Sequence, residues 1–545
     1  MKNSKKTAGA LLVDVLKSQN VKRVFGVPGE SYLAVLDALF DSDIDFVNAR
    51  HEGGASFMAE AHGKLTGQPG IAFVTRGPGA THASIGVHAA MQNSSPLILF
   101  VGQIARDMRE REAFQEIDCR AFFGSIAKWV TEIDDATRLQ ELVLRAFHIA
   151  ISGRPGPVVI ALPEDMLVET VEAMLLSPVS ISEASPPDEA VKALQKRLSA
   201  AKRPLLIAGG GGWSDQGRAD LNRFSTQNNL PVITAFRSQD LIDNNSENFV
   251  GDAGLGKPEY LSKALLESDL TLAVNIRFGE IFTDGWSWAK PPKYPTPLIH
   301  SHNDAAQLGK IYQADLSLHA GPNTLLKCLA EFKACDASPW RDDLRSAFLQ
   351  SRKPLKAKGS VNVAALCTRL NDLAERDAIV TNGAGNFAIY PGRYIRFGTR
   401  RLIAPQVGAM AAGLPAAIAA KLEHPKRQVI CFAGDGDFQM SLQELGAVMQ
   451  EQLGLIIFVH NNGSYGTIRM HQERDYPKRV SGTELLNPDF KAIASAYNCA
   501  YARLEKTEEF DSIFAQATQE RRTTIIEMMT DPDDIAPGKI LNQNA

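Results

Sequence analysis

At 545 residues the chain is too long for one hydrophobic core, and two to four domains are expected. With 44% hydrophobic residues, 22% charged residues and a net charge of −4, its make-up is that of an ordinary soluble protein. That balance excludes the basic footprint of a nucleic-acid binder and gives no electrostatic case for an anionic membrane.

The opening stretch, MKNSKKTAGALLVDVL, is basic, but Asp14 and Lys17 interrupt its apolar part. It reads as the first helix of a domain rather than a signal peptide. No uninterrupted apolar run approaches membrane-spanning length. FGVPGESY, from Phe25 to Tyr32, is a strand-to-helix turn in which Gly26 and Gly29 permit close backbone approach. The strand IDFVNA then runs into RHEGG. Glu52 is thereby placed at a strand end beside a helix N-terminus, where the helix dipole favours the carboxylate. An acidic residue that merely opens a helix is the plain alternative.

From Ile71 to Gly102 the grammar is strand, Gly-Pro-Gly turn around Pro78, helix, strand. AFQEID, holding Phe114 and Gln115, is a polar-aromatic loop. Two stretches look like connectors: the Ser- and Pro-rich Leu176 to Ala190, and the charged Ala337 to Ser360, which lacks a buried-strand run. They divide the chain into blocks 1–180, 190–336 and 360–545. Each block alternates apolar strand-like runs with amphipathic helical ones. The fold class is therefore α/β, three domains with parallel sheets flanked by helices.

In the third block, TNGAGN follows the strand AIV, and Gly383, Ala384, Gly385 and Asn386 could offer backbone N–H groups to a phosphate. VGAMAAGLPAAIAA, from Val407 to Ala420, predicts a tightly packed helix with Gly408 near its start and Met410 at its mouth. Gly434 to Asn462 has the grammar of Ile71 to Gly102 with different turn chemistry. QVICFA is a buried strand, Gly434 and Gly436 turn the chain, Met440 to Leu453 has helical spacing, and LGLIIFVH is a second buried strand. A strand–helix–strand unit of this kind makes parallel neighbours, so both strands end on one edge of the sheet. Asp435 and Asn462 thus lie side by side where open α/β sheets bind ligands. Two oxygen-bearing side chains there suit magnesium, which is held by one or two protein groups plus substrate phosphates.

The six cysteines, Cys119, Cys328, Cys335, Cys367, Cys431 and Cys499, are scattered without a C-x-x-C. Buried apolar cysteines in a reducing cytoplasm are expected, not a disulfide or metal framework.

Together these pieces resemble the thiamine diphosphate-dependent enzymes, most closely their acetolactate synthase branch, over nearly the whole chain. The Gly-Asp-Gly and Asn-Asn pair at this separation is the most specific mark. The resemblance implies that 1–180, 190–336 and 360–545 are the pyrimidine-binding, central and diphosphate-binding domains. It implies Asp435, Asn462 and the Ser464 carbonyl as magnesium ligands. Gly383 to Asn386, helped by Gly436 and Asp437, would meet the cofactor diphosphate. Met410 would prop the cofactor in a bent form, the Gly408 carbonyl would accept from its aminopyrimidine, and Pro78 would lie against it. Glu52 would hydrogen-bond the pyrimidine ring across a homodimer or homotetramer interface and take part in ionising C2. Phe114 and Gln115 keep the synthase pattern near the substrate.

The implied reaction makes or breaks a carbon–carbon bond beside the carbonyl of a 2-oxo acid. Alternatives are an FAD-linked 2-oxo acid oxidase, a non-oxidative decarboxylase or a non-catalytic regulator. The sequence departs from the branch in four places. NIRFGEIFTDG lacks the acidic pair and arginine, and His302 stands where an acid is usual, so a central domain without FAD is expected. His471 replaces a tryptophan that shapes acceptor choice. His82 replaces an asparagine.

Overall fold

The computed structural model describes residues 5–333 and 336–541. It contains three six-stranded sheets, and every strand pair within them is parallel. Their strands are almost uninterrupted apolar runs, such as Leu97–Gln103, Pro157–Pro163 and Val429–Gly434, each buried at every residue. Helices cover both faces of such sheets, so neither face alternates with polar residues.

The first sheet runs Asp45–Asn48, Arg23–Gly26, Gly70–Val74, Leu97–Gln103, Pro157–Pro163, Trp129–Glu132. The third runs Arg401–Ile403, Ile379–Asn382, Val429–Gly434, Ile456–Asn461, Thr524–Met529, Ala500–Leu504. Counting strands in chain order within each sheet, both read 2-1-3-4-6-5. The echo between the first and third blocks is thus a shared topology. The central sheet differs and reads 3-2-1-4-5-6, from Phe249–Ala253 to Leu316–His319. In each order the chain reverses direction beside strand 1, which opens a crevice at the carboxyl edge.

The outer two units share one core. The helix Glu52–Thr66 packs on Gly413–Glu423, and Ala55, Ala59, Ala416, Ala417 and Ala420 are all buried in the same cluster. Glu444 adds a polar tie: it is fully buried and accepts from the Arg50 N–H at 3.1 and 3.2 Å.

Three expectations change. The run Met440 to Leu453 is two short pieces, a 3-10 turn Leu442–Glu444 and a helix Leu445–Gln450, after a separate helix Asp435–Gln439. Ser441, at φ −137°, leaves helical conformation and turns Glu444 inward to Arg50. The helix expected from Val407 begins only at Gly413, because Gly408 and Ala411 take positive φ of 70° and 71°. The second connector is partly a helix, Ser338–Ser351, which buries Leu344 and Phe348 against the central unit. Cys119, Cys367, Cys431 and Cys499 are free and buried, Cys328 is free and exposed, and Cys335 lies outside the described residues.

The helices Glu52–Thr66 and Gly77–Asn93 touch where Gly86 faces Ser56. A Cβ on Gly86 would stand 2.2 Å from the Ser56 Oγ and 2.6 Å from its backbone carbonyl carbon. Neither can retreat, because Ser56 is fully buried and its hydroxyl donates to the Gly53 carbonyl. Gly86→Ala should therefore destabilise the protein by roughly 1–3 kcal/mol, the usual cost of overpacking. Urea unfolding checks it, and an unshifted midpoint would show that the two helices separate freely.

Candidate active site

The site is built on the carboxyl edge of the third sheet. Gly434 and His460 are paired across neighbouring strands, so the turns that follow, at Asp435 and Asn462, start level with each other. The Gly463 N–H donates to Asp435 Oδ2 at 2.8 Å and holds the two turns together. Strand Ile379–Asn382 ends on the other side of Val429–Gly434, across the crevice where the chain reverses. Its Gly383–Asn386 turn therefore faces Asp435–Asp437.

One cleft of about 230 Å³ is lined by Ala384, Gly385, Asn386, Gly408, Met410, Asp435, Gly436, Asp437, Asn462 and Ser464. Tyr465, Ile468, His460 and Ile535 complete its wall. Met410 enters it from the turn between Gly408 and Ala411 rather than from a helix.

Asp435 is 2% exposed. Its carboxylate accepts from the Gly436 N–H at 2.9 Å, the Gly463 N–H at 2.8 Å and the Asn487 Nδ2 at 2.7 Å. All three donors are neutral, and burial pushes its pKa up. Among the described residues no lysine, arginine or histidine is paired with it. A buried carboxylate without a counter-charge is costly, and metal coordination is one of the few ways to offset it. The Ser464 hydroxyl and the His460 Nδ1 are also buried there without a partner. Oxygen groups of Asp435, Asn462 and Ser464 around one cleft fit a hard divalent cation.

Asp437 behaves differently. Its Oδ1 accepts from the N–H groups of Ala384 and Ala411 at 3.2 and 2.9 Å, and burial pushes its pKa up to about 7. It joins the glycine turn to the Met410 turn. The two asparagines also divide their work. Asn462 lines the cleft, whereas Asn461 donates to Glu527 at 2.6 Å and accepts from Asn487 at 2.8 Å.

The first sheet carries a second group of residues. Glu52 opens its helix, whose N-cap His51 accepts from the Gly53 N–H at 3.0 Å. Glu52 Oε2 meets His82 Nδ1 at 2.8 Å. Gln115 has φ 66°, and its carbonyl accepts from the Gly77 N–H at 2.9 Å, beside Pro78. Phe114 projects with 74% of its surface exposed. Within one chain none of Glu52, Pro78, Phe114 and Gln115 lines the cleft of the third sheet. His471 is exposed on the helix Gly466–Asp475.

Sequence reasoning missed Asn487, Glu444 and His51. Asn487 lies in a loop with no motif, and nothing in NPDF marks it. Glu444 sits within an apolar run where an acid reads as a solvent-facing residue. His51 precedes Glu52 directly and could have been noted as its cap.

The fold and the cleft define a three-sheet α/β enzyme with an anion- and metal-suited site at a sheet edge. Three family models match in order. Residues 6–122 match the thiamine pyrophosphate enzyme N-terminal TPP binding domain, 191–329 its central domain, and 383–528 its C-terminal TPP binding domain. The chain belongs to the thiamine pyrophosphate enzymes. It is 32% identical over 543 residues to the acetolactate synthase large subunit of Parasynechococcus marenigrum (strain WH8102), covering 96% of this chain and 87% of that one. It is 29% identical over 565 residues to the acetolactate synthase of Arthrospira platensis, covering 98% and 97%. It is also 29% identical to the acetolactate synthase isozyme 2 large subunit of Escherichia coli (strain K12), over 92% and 91%.

A Cβ on Gly383 would lie 2.1 Å from Asp437 Oδ1, in a carboxylate already fixed by two backbone N–H groups. Gly383→Ala should therefore push the glycine turn off Asp437 and weaken thiamine diphosphate binding about tenfold or more, at a cost of roughly 1–3 kcal/mol in stability. Calorimetric titration of the cofactor checks this, and parental affinity would mean that the turn does not cradle the ligand.

Proposed function

We propose that the chain is a magnesium- and thiamine diphosphate-dependent carboligase or lyase acting on a 2-oxo acid, as acetolactate synthase acts among its relatives. The observation that carries it is the buried, uncompensated carboxylate of Asp435 in a cleft shared with Asn462, Ser464 and the Gly383–Asn386 turn. Asp435, Asn462 and the Ser464 carbonyl hold magnesium. Gly383, Ala384, Gly385, Asn386, Gly436 and Asp437 border the place of the diphosphate; the N–H groups of Gly383, Ala384, Asn386 and Gly436 donate within the chain to Phe432, Asp437, Thr467 and Asp435, which fixes these turns around it. Asp437 itself holds the turns rather than meeting the anion, since two like charges would repel. Met410 and the Gly408 carbonyl, which line the cleft, would contact the cofactor between its rings and at its aminopyrimidine. When bound, thiamine diphosphate supplies a thiazolium carbon that adds to the 2-oxo acid carbonyl and a ring that takes up the electron pair released with carbon dioxide.

Glu52 and Pro78 face the pyrimidine from the first sheet, and Phe114 and Gln115 flank the substrate. Because one chain keeps Glu52 away from its own cleft, we assign the working unit to at least a homodimer. Each half carries exposed apolar residues: Phe114 at 74% on the first domain, and Met440 at 48%, Ile468 at 54% and Leu486 at 102% on the third. A second copy would cover them. No helix among the described residues is long and apolar enough to cross a membrane. We place the enzyme in the cytoplasm, where its free cysteines stay reduced.

The central domain is proposed to carry no FAD. His302, at the place of the usual acid, is 3% exposed, and its Nδ1 accepts from the Asp304 N–H at 2.9 Å. It offers no acceptor to a ribose. Asn275 ties down the turn after strand 1: its amide donates to the Gly209 and Gly211 carbonyls at 3.3 and 2.8 Å, beside a cleft of about 910 Å³ lined by Gly210, Gly211, Gly212 and Trp213. Flavin absorbance bands in protein purified without added FAD would overturn this, and their absence is expected.

Asp435→Ala tests the central assignment. Removing a residue that only supports a metal ligand costs about 10–100-fold in metal affinity, and removing the ligand should cost at least about 100-fold. Thiamine diphosphate binding at equal magnesium is the measurement, and parental affinity would sink the metal site.

A further inference from the structure

We propose that His82 is a positioning residue for Glu52: it holds one carboxyl oxygen so that the other is presented to the cofactor ring. The proposal rests on the reading of Glu52 as the ring's partner. Three observations carry it. The His82 Nδ1 lies 2.8 Å from Glu52 Oε2, the hydrogen bond of an N–H donor to a carboxylate. The Glu52 side chain is only 13% exposed, so few other arrangements are open to it. Its Oε1 has no hydrogen-bond partner among the described residues and lies 3.5 Å from where a Cβ on Gly79 would stand. One oxygen is tied and the other is free, on the face where the first turn of the helix Gly77–Asn93 carries no side chain at Gly79.

The imidazole is itself held in place. It stacks on the His51 ring with centroids 4.5 Å apart and planes 28° from parallel. The His51 Nδ1 accepts from the Gly53 N–H, which fixes that ring as the helix cap, and burial holds its pKa below the ordinary value. His51 is thus a neutral, anchored plate, and His82 lies on it with Nδ1 turned to the carboxyl group. An asparagine at this position would offer an amide N–H near the place of Nδ1. Histidine adds the ring face that the stack requires.

The test uses the full-length protein and four variants. Exchange of the C2 proton of bound thiamine diphosphate for deuterium, followed by proton NMR, reads the work of Glu52. Glu52→Gln is the control, and unchanged exchange there would remove Glu52 itself from the mechanism. With that control slowed, His82→Ala should slow exchange about tenfold, the value of one hydrogen bond to a charged group. Its thiamine diphosphate affinity should be unchanged. His82→Asn should restore most of the rate, which a purely structural role would not predict. In the protein without cofactor, the ¹⁵N-histidine signals of His82 should show a protonated Nδ1 that is lost in Glu52→Ala. Parental exchange in His82→Ala, no rescue by His82→Asn, or His82 signals indifferent to Glu52→Ala would each overturn the proposal while leaving the reading of Glu52 intact.

Discussion

Everything in this molecule follows from one geometric constraint: parallel strands end on the same edge. A right-handed crossover returns each strand in the direction of the last, so the loops that follow collect at the carboxyl edge. Where the order reverses beside strand 1, two of those loops diverge and leave a crevice. In the third sheet these are the turns after Ile379–Asn382 and Val429–Gly434. Residues from 384 to 468, with Ile535, converge there although they are far apart in sequence. No long-range contact between their side chains is needed to bring them together, because the sheet does it.

The same constraint explains the electrostatics. A strand end buried under helices is a poor place for an anion, yet Asp435 sits there with only neutral donors. Asp437 and Glu444, both pushed up to about 7 by burial, share the predicament. They resolve it differently: Asp437 binds the Ala384 and Ala411 amides, and Glu444 binds the Arg50 amide of the first domain. Their work is to join loops and domains. Asp435 and Asp437 both line the cleft, but of the three acids only Asp435 accepts from the turn at Asn462, through the Gly463 N–H, and this separates the acid proposed to hold a metal from two that join loops.

Much of this was legible in the sequence. Strands buried on both faces read as apolar runs, and QVICFA and LGLIIFVH match Val429–Gly434 and Ile456–Asn461 closely. The repeated grammar of the first and third blocks foretold a shared strand order. Helix lengths were less legible. Periodicity from Met440 to Leu453 cannot reveal that Ser441 breaks the run to turn Glu444 inward, since that turn is set by Arg50, 394 positions away. Similarly, Val407 to Ala412 has helical composition but is bent by two positive-φ positions, one of them an alanine. Asn487 was illegible for another reason. It acts by supporting Asp435 and Asn461 from a loop, and its residue type is ordinary for any turn.

The duplicated topology also bears on why the proposed site is shared between two chains. The helix Glu52–Thr66 lies against Gly413–Glu423, and Arg50 donates to Glu444, Gly446 and Gln450 of the same chain's third domain. Glu52 is therefore fixed on one side of that domain. Bringing it to its own chain's cleft would require breaking the alanine-lined helix contact and leaving Glu444 buried without its backbone donors. In the proposed assembly a second copy would supply Glu52 without breaking either. In the proposed dimer, packing within a chain fixes the aim of the carboxyl group, and association between chains gives it a target. The first sheet is then free of any need to bind a metal, and its turn carries Gly-Pro-Gly where the third carries Gly-Asp-Gly.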